Sequence, residues 1–509
     1  MATVTDTVSR SLREFLILTD TIRCRPDEVS LETSLGEQKA IKLQYPYMTA
    51  RMQSVVGPQM ACTAGRNGIL TCVPQSLRDE DKQQILDANK AARLKTGDVQ
   101  YVERPERVAP EDTLDHVIKR VRLTGHSVVP VIDHLYKLHG FYIHDPDNVP
   151  SVPATTPIKH VMTPLQSNDH QEGIPYLLCS QQDRVNEFLR DHRVAPIVDD
   201  DFVFQKLAFL QKFGTNFIGM ALRTRNRWQE DLERWGPQVD TLMIDSSNAC
   251  FEDAFKVLKE AKARFPDKPF GIGNIIQGRH FKEFAQAGAD YIIGGMGVGS
   301  ICQTGSKRGN GRGQFTVAYE LARARDEYRK DSGRLVQLVI DGGIQDVKDM
   351  TVALAFADVI MMGSYFNKFW EAAGEKLDAK GKPTSNEHLM THVETWGEGH
   401  PHARLVGILG RDYRKGSDNN VSQEDKEGAA ERYHQMVLAN ATVEGVLGKT
   451  DYRGHLKPNV EADARYIRVT IANSGATNLA EFRERAVLEL ASAETLRDMY
   501  PHHVHIDKE

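Results

Sequence analysis

Between residues 213 and 363, five short apolar runs each end on a polar or glycine residue, and this pattern narrows the possible folds more than any other feature. The runs end at Asp245, Asn274, Gly294, Asp341 and Gly363, with helical segments between them, as at Phe251–Arg264 and Arg279–Ala287. Short continuous apolar runs suit strands buried on both faces, and their alternation with helices builds parallel sheets. Two earlier candidates fit the same scheme. One lies within Tyr45–Val56 and leads into Thr49-Ala50-Arg51-Met52-Gln53-Ser54; the other is Asn67–Val73, and Pro58–Gly65 between them has helical spacing. Repeated β-α units with polar strand ends predict a (β/α)8 TIM barrel, whose active site lies at the C-terminal ends of its strands. An open doubly wound sheet is the alternative, but no GxGxxG turn follows the first strand.

At 509 residues the chain exceeds one ordinary domain, so a large domain and a smaller one are expected. The smaller one is visible as a repeat. Val128-Val129-Pro130-Val131-Ile132-Asp133 and Val194-Ala195-Pro196-Ile197-Val198-Asp199 are near copies, each after a charged amphipathic segment, Thr113–Thr124 and Gln182–His192. Two copies make a self-contained unit over 99–212, interrupting a barrel formed by 1–98 and 213–509. Their terminal acids, Asp133 and Asp199, are candidates to hold the ribose hydroxyls of a nucleotide.

The net charge of −6, with no basic stripe, argues against nucleic acid as a partner. No apolar run is long enough to span a membrane and no signal-peptide pattern opens the chain, so a cytoplasmic location is expected. The six cysteines form no CxxC pair, which excludes a zinc ribbon and a disulfide framework.

One of them stands apart. Cys302 follows Gly294-Gly295-Met296-Gly297-Val298-Gly299-Ser300-Ile301, directly after the apolar run Tyr291-Ile292-Ile293. Glycines allow positive φ and expose backbone N–H groups, so the loop suits a phosphate and places a thiol where a nucleophile would act. On the same face, Asp341-Gly342-Gly343-Ile344 offers a carboxylate for a ribose diol and bare amides for a phosphate. Met361-Met362-Gly363-Ser364 repeats that arrangement, and Asp245-Ser246-Ser247-Asn248 adds a carboxylate and two hydroxyls. Together these predict a nucleotide monophosphate held beside a thiol.

Jointly, these stretches resemble the IMP dehydrogenase/GMP reductase family over nearly the whole chain. Gly297–Thr304 resembles its catalytic cysteine loop, and Gly311-Arg312-Gly313-Gln314 keeps its spacing. The resemblance implies that Cys302 and Thr304 are catalytic. It also implies that Arg432 and Tyr433, in a mobile flap over about 394–450, activate water. Substrate contacts are implied at Met52, Asn274, Ser300, Asp341, Gly343, Gly363, Ser364, Glu398, Gly399 and Glu444. Cofactor contacts are implied at Asp245, Ser246, Ser247, Gly295 and Gly297, with a potassium ion on the carbonyls of Gly297, Gly299 and Cys302. The implied reaction is NAD-dependent oxidation of IMP to XMP in guanine nucleotide biosynthesis, through a covalent thioimidate on Cys302. The implied assembly is a homotetramer or an octamer. The insertion resembles a pair of cystathionine-β-synthase (CBS) modules, which take adenine or guanine nucleotides.

Two further readings stand beside this one. A GMP reductase would use Cys302 with NADPH and release ammonia; the Arg432-Tyr433 pair speaks for the dehydrogenase. A nucleotide sensor without turnover would not need the intact Cys302–Thr304 loop. The chain also departs from the family pattern. Thr395-Trp396-Gly397-Glu398-Gly399-His400 stands where Tyr-Arg-Gly-Met-Gly-Ser is usual, so Thr395 lacks a phosphate-binding phenol and Glu398 carries a charge at a base contact. Arg51 and Gln53 stand for Pro and Asp, Ile293 for a basic residue, and Thr495-Leu496-Arg497-Asp498 for a Glu-Gly-Gly.

Overall fold

The computed structural model describes residues 7–411 and 445–499, apart from 38, 96, 104, 125–127, 145–149, 168–171, 193, 211–213 and 225–226. The chain divides into two compact units, Met1–Arg93 with Thr215–Glu509, and Leu94–Gly214.

The first unit is the barrel. Its strands are β1 (Tyr47–Thr49), β2 (Thr71–Val73), β3 (Ile218–Leu222), β4 (Thr241–Asp245), β5 (Phe270–Ile275), β6 (Tyr291–Gly294), β7 (Gln337–Asp341) and β8 (Val359–Met362). Each pairs in parallel with its sequence neighbour from β2 to β8, and β8 pairs with β1. A parallel bridge between Met48 and Leu70 joins β1 to β2 and closes the circle. Each strand is followed by a helix: α1 (Pro58–Arg66), α2 (Asp79–Ala91), α3 (Trp228–Trp235), α4 (Glu252–Arg264), α5 (Gly278–Gln286), α6 (Gln314–Ser332), α7 (Val347–Leu354) and α8 (Leu456–Asn473). Helix α8 packs on both α7 and α1, which completes the outer ring.

Strand alternation sorts the side chains into two cores. Ile272, Ile292, Leu338 and Ile360 face the helices. Met48, Cys72, Met243, Tyr291, Ile293, Val339 and Met361 fill the barrel interior, whose N-terminal end is plugged by Leu35, Ile41 and Leu43 of the hairpin Thr33–Leu35/Ile41–Leu43. The interior is crowded because β5 spares room: a Cβ on Gly271 would meet the Tyr291 ring at 2.0 Å, and one on Gly273 would meet Ile293 at 2.5 Å. Ile293, where a basic residue is usual, is therefore an apolar filler of the barrel floor. The polar groups begin one residue above it, on the C-terminal rim.

The second unit repeats one motif twice. In the first copy, helix Leu114–Thr124 packs Leu114, Val117 and Val121 against Val129 and Val131, below the hairpin Val128–Ile132/Leu138–Ile143. In the second copy, helix Val185–Asp191 packs Val185 and Leu189 on Ala195 and Ile197, below the hairpin Ala195–Val198/Phe204–Leu210. A shared cluster, Ile132, Phe141, Val198 and Phe204, joins the halves. Asp133 and Asp199, the acids expected at a ribose, each cap their own hairpin: Asp133 Oδ1 accepts from the N–H groups of Leu135 and Lys137, and Asp199 Oδ1 from those of Asp201 and Val203. Their other oxygens face His139 at 3.0 Å and Gln205 at 3.3 Å. A short acidic side chain after a strand caps the turn that follows it.

Candidate active site

The rim of the barrel holds a cavity of about 630 Å³, walled by the loops after β1, β4, β5, β6 and β7 and by residues 397–404. The loop after β6 forms one wall. Gly295 has φ +145° and a Cβ there would lie 2.0 Å from the Asp341 carbonyl oxygen, so only glycine lets the β6 and β7 ends approach this closely. Gln314, the first residue of α6, is buried and ties the two strands: its Nε2 donates to the carbonyls of Gly294 (3.1 Å) and Asp341 (2.8 Å). That is the physical reason for the Gly311-Arg312-Gly313-Gln314 spacing.

Cys302 is exposed on this loop. Its N–H donates to the Gly299 carbonyl at 3.0 Å, and its thiol donates to the hydroxyl of buried Thr304 at 3.2 Å. The loop is braced from the opposite side. The Val446 N–H donates to the Ile301 carbonyl at 3.2 Å, and the Gly397 N–H to the Val446 carbonyl at 3.1 Å. Residues 394–450, read as one flap, thus carry ordered structure at both ends: His392–Trp396 and Leu447–Asp451 are paired antiparallel, and Pro401–Leu409 is a helix. Arg432, Tyr433 and Glu444 lie outside the described residues.

Facing the thiol loop is a buried charge network. Arg51, on the loop after β1, is 6% exposed. Its Nη2 donates to Asn274 Oδ1 (2.9 Å) and Asp341 Oδ2 (3.3 Å) and is ion-paired with Asp245 Oδ1 at 3.0 Å. Asn274 Nδ2 in turn donates to Asp341 Oδ2 (2.9 Å) and to the Gly295 carbonyl (2.8 Å). Burial works against the guanidinium charge, but Asp245 and Asp341 outweigh it and hold the Arg51 pKa above its ordinary value. Asp245 is pushed up by burial, eased by Arg51, with Asp341 adding repulsion.

A second, half-buried acid lines the cavity. Glu398 accepts from the Gln53 N–H at 2.7 Å and from the Ser76 hydroxyl in a very short contact. Gln53 is fully buried: its Nε2 donates to the Ala403 carbonyl at 3.0 Å and its Oε1 accepts from Trp396 Nε1 at 3.2 Å. The Glu398 carboxyl is thus held by the backbone N–H of residue 53, while the Gln53 side chain is spent on other partners. Burial raises the Glu398 pKa from 4.5 to about 7, against the hydrogen bonds from Ser76 and Gln53.

Of the residues expected from sequence, Met52, Asn274, Asp341, Glu398, Gly399, Asp245, Ser246, Ser247, Gly295, Gly297, Gly299, Cys302 and Thr304 line this one cavity. Ser300, Gly343, Gly363 and Ser364 stand beside it without lining it. Gly363 is held against Met52, whose Sδ would lie 2.7 Å from a Cβ there. Thr395 is buried and bonded to Asn367 rather than presented to the cavity. Arg51 and Gln75 were not assigned to the site from sequence, nor were Arg308 and Arg404, which also line it. Arg51 was visible only as a departure from pattern, and the other three carried no signal. Among the described residues no group of His, Cys, Asp or Glu could hold a metal ion, and no helix is long and apolar enough to cross a membrane.

A closed parallel barrel thus carries an exposed thiol over a carboxylate-lined cavity at the C-terminal ends of its strands. The chain belongs to the IMP dehydrogenase / GMP reductase family, an oxidoreductase family whose model matches residues 10–502. It is 28% identical to the inosine-5'-monophosphate dehydrogenase of Tritrichomonas foetus, covering 97% of this chain and 96% of that one. It is 26% identical to the Haemophilus influenzae enzyme of the same name, covering 95% and 93%. A GMP reductase of Trypanosoma brucei, solved with guanosine 5'-monophosphate, shares the fold at a TM-score of 0.63 and 20% identity, covering 98% of each chain.

Proposed function

We propose that the protein oxidises IMP to XMP with NAD, through a covalent adduct on Cys302. The observation that carries this is the placement of the Cys302 thiol, exposed and bonded to Thr304, on the rim that also presents Asp341, Asn274 and Asp245. Cys302 Sγ attacks C2 of the purine, and the carbon–sulfur bond holds the base while hydride leaves. Thr304, in contact with the sulfur, exchanges the proton. Water then breaks the carbon–sulfur bond and XMP departs; Arg432 and Tyr433 are assigned to that step. Splitting one oxidation into two accessible steps is what a covalent nucleophile contributes. Asp341 and the amides of Gly342 and Gly343 receive the ribose and phosphate, with Gly363 and Ser364 next to them.

NAD supplies the hydride acceptor when bound. The residues fit it: Arg51 occupies Asp245 only through Oδ1, which leaves Oδ2 for a ribose diol, and Ser246 and Ser247 line the cavity beside it. A potassium ion on the carbonyls of Gly297, Gly299 and Cys302 belongs to the same reading, as does a cytoplasmic homotetramer. The twofold repeat of the second unit supports its reading as a CBS pair that takes adenine or guanine nucleotides.

Glu398 favours a second reading. A half-buried carboxyl with a pKa of about 7 carries a proton near neutrality and could pass it to a departing amine, as a GMP reductase using NADPH requires. Incubation with IMP plus NAD, and separately with GMP plus NADPH, while following reduced nicotinamide absorbance, decides between them. The dehydrogenase reading expects growth of absorbance with the first pair and no loss with the second. Loss with GMP and NADPH alone overturns it.

A further inference from the structure

The Arg51 network joins two places that the proposed function gives to different ligands. Asp341 belongs to the substrate ribose and Asp245 to the dinucleotide, and one guanidinium nitrogen contacts both. We propose that Arg51 is a positioning residue that couples the two sites: a substrate ribose on Asp341 tightens the hold of Arg51 on Asp245 and thereby strengthens dinucleotide binding. The inference rests on the reading above for the identity of the two ligands.

The argument is one of hydrogen-bond supply. Nη2 has two hydrogens and faces three acceptors, Asn274 Oδ1 at 2.9 Å, Asp245 Oδ1 at 3.0 Å and Asp341 Oδ2 at 3.3 Å. The two hydrogens go to Asn274 and Asp341, the latter at the longer distance, and Asp245 is held by charge alone. Asp341 Oδ2 also takes a hydrogen from Asn274 Nδ2 at 2.9 Å. Ribose hydroxyls donating to Asp341 reduce its claim on Nη2 and leave that nitrogen to Asp245. Meanwhile Arg51 Nη1 is buried without a hydrogen-bond partner. Charge points the same way. With no cation between them, Asp245 and Asp341 would repel each other. Coupling of this kind is reciprocal: whatever the substrate does for the dinucleotide, the dinucleotide does for the substrate.

Cys302→Ala protein, which removes the nucleophile, allows both ligands to be titrated by calorimetry without turnover. The Kd of NAD is expected to fall about tenfold when IMP saturates the protein, a typical coupling. In Cys302→Ala/Arg51→Gln, each ligand still binds, but the Kd of NAD with and without IMP agrees within about twofold. Arg51→Lys, which keeps a cation between the carboxylates, restores most of the difference. A Gln variant that keeps the full tenfold effect, or a Cys302→Ala protein that shows none, overturns the proposal. If the Gln variant does not fold, Asp245→Asn reports from the other end: IMP affinity is unchanged and NAD binds more weakly, with no response to IMP. Persistence of the response in that variant is equally fatal. If GMP and NADPH bind where IMP and NAD do not, the choice of reaction falls, and the same titrations with that pair test the coupling.

Discussion

At the scale of single residues the site rests on a thiol, a buried arginine and half-buried acids. Cys302→Ala should remove turnover while leaving purine nucleotide binding within about threefold, since the thiol makes the bond but does not hold the ribose or phosphate. Steady-state rates and titration on one preparation check this, and an alanine variant near the wild-type rate rules out the covalent route. Glu398 carries the pH dependence. Its folded pKa of about 7 lies above the ordinary 4.5, so between these values the folded state holds a proton that the unfolded chain has lost. Glu398 therefore costs stability progressively as pH rises through that window. Glu398→Gln cannot ionise, so its Tm should gain on that of the wild type from pH 4.5 to 7, reaching several degrees. Its kcat/KM profile should also lose an inflection near 7. Parallel Tm curves for the two proteins would show that Glu398 is not held protonated.

At the scale of elements, the strand ends and their loops set how closely the reacting groups can approach. Gly295 has a positive φ and its Cα faces the Asp341 carbonyl, so Gly295→Ala must push β6 and β7 apart. The variant should lose roughly 2 kcal/mol or more of stability, the cost of strain at such a position, and nearly all activity. Thermal denaturation measures the first and rate the second; an alanine variant with wild-type Tm would mean that the loop has another conformation. This glycine loop was legible in the sequence because backbone freedom is a local property. The Arg51 network was not, because its partners Asn274 and Asp341 lie 223 and 290 residues further along the chain. Only closure of the barrel brings β1, β5 and β7 to one rim.

At the scale of the whole molecule, the two units have separate cores. The clusters around Val117 and Val131, and around Val185 and Ile197, belong to the second unit alone. A chain joined by a short Gly/Ser linker between Arg93 and Thr215 should therefore fold as a soluble barrel with catalytic activity, without any response to ATP or GTP shown by the intact protein. Rates with and without nucleotide on both chains decide this. A folded but inactive barrel would give the second unit a direct part in catalysis, and a persisting nucleotide effect would place the regulatory site in the barrel.

The sequence by itself determined the barrel and the thiol loop. Apolar period, polar strand ends and glycine runs are local signals, and each is imposed by backbone physics within a few residues. It also separated the repeated unit, since near copies such as Val128–Ile132 and Ala195–Val198 must each bury the same face. Only the tertiary structure decided what the unusual residues do. Glu398 read as a misplaced charge until folding set its carboxyl on the backbone N–H of residue 53 at 2.7 Å. Asp133 and Asp199 had the composition of ligands, and folding sets one oxygen of each to cap its own hairpin. Ile293 and Arg51 likewise make sense together: the floor of the barrel is apolar at β6, and the cation above it comes from β1. Hydrogen-bond partnership and burial depend on which distant segments meet, and a linear pattern does not contain that.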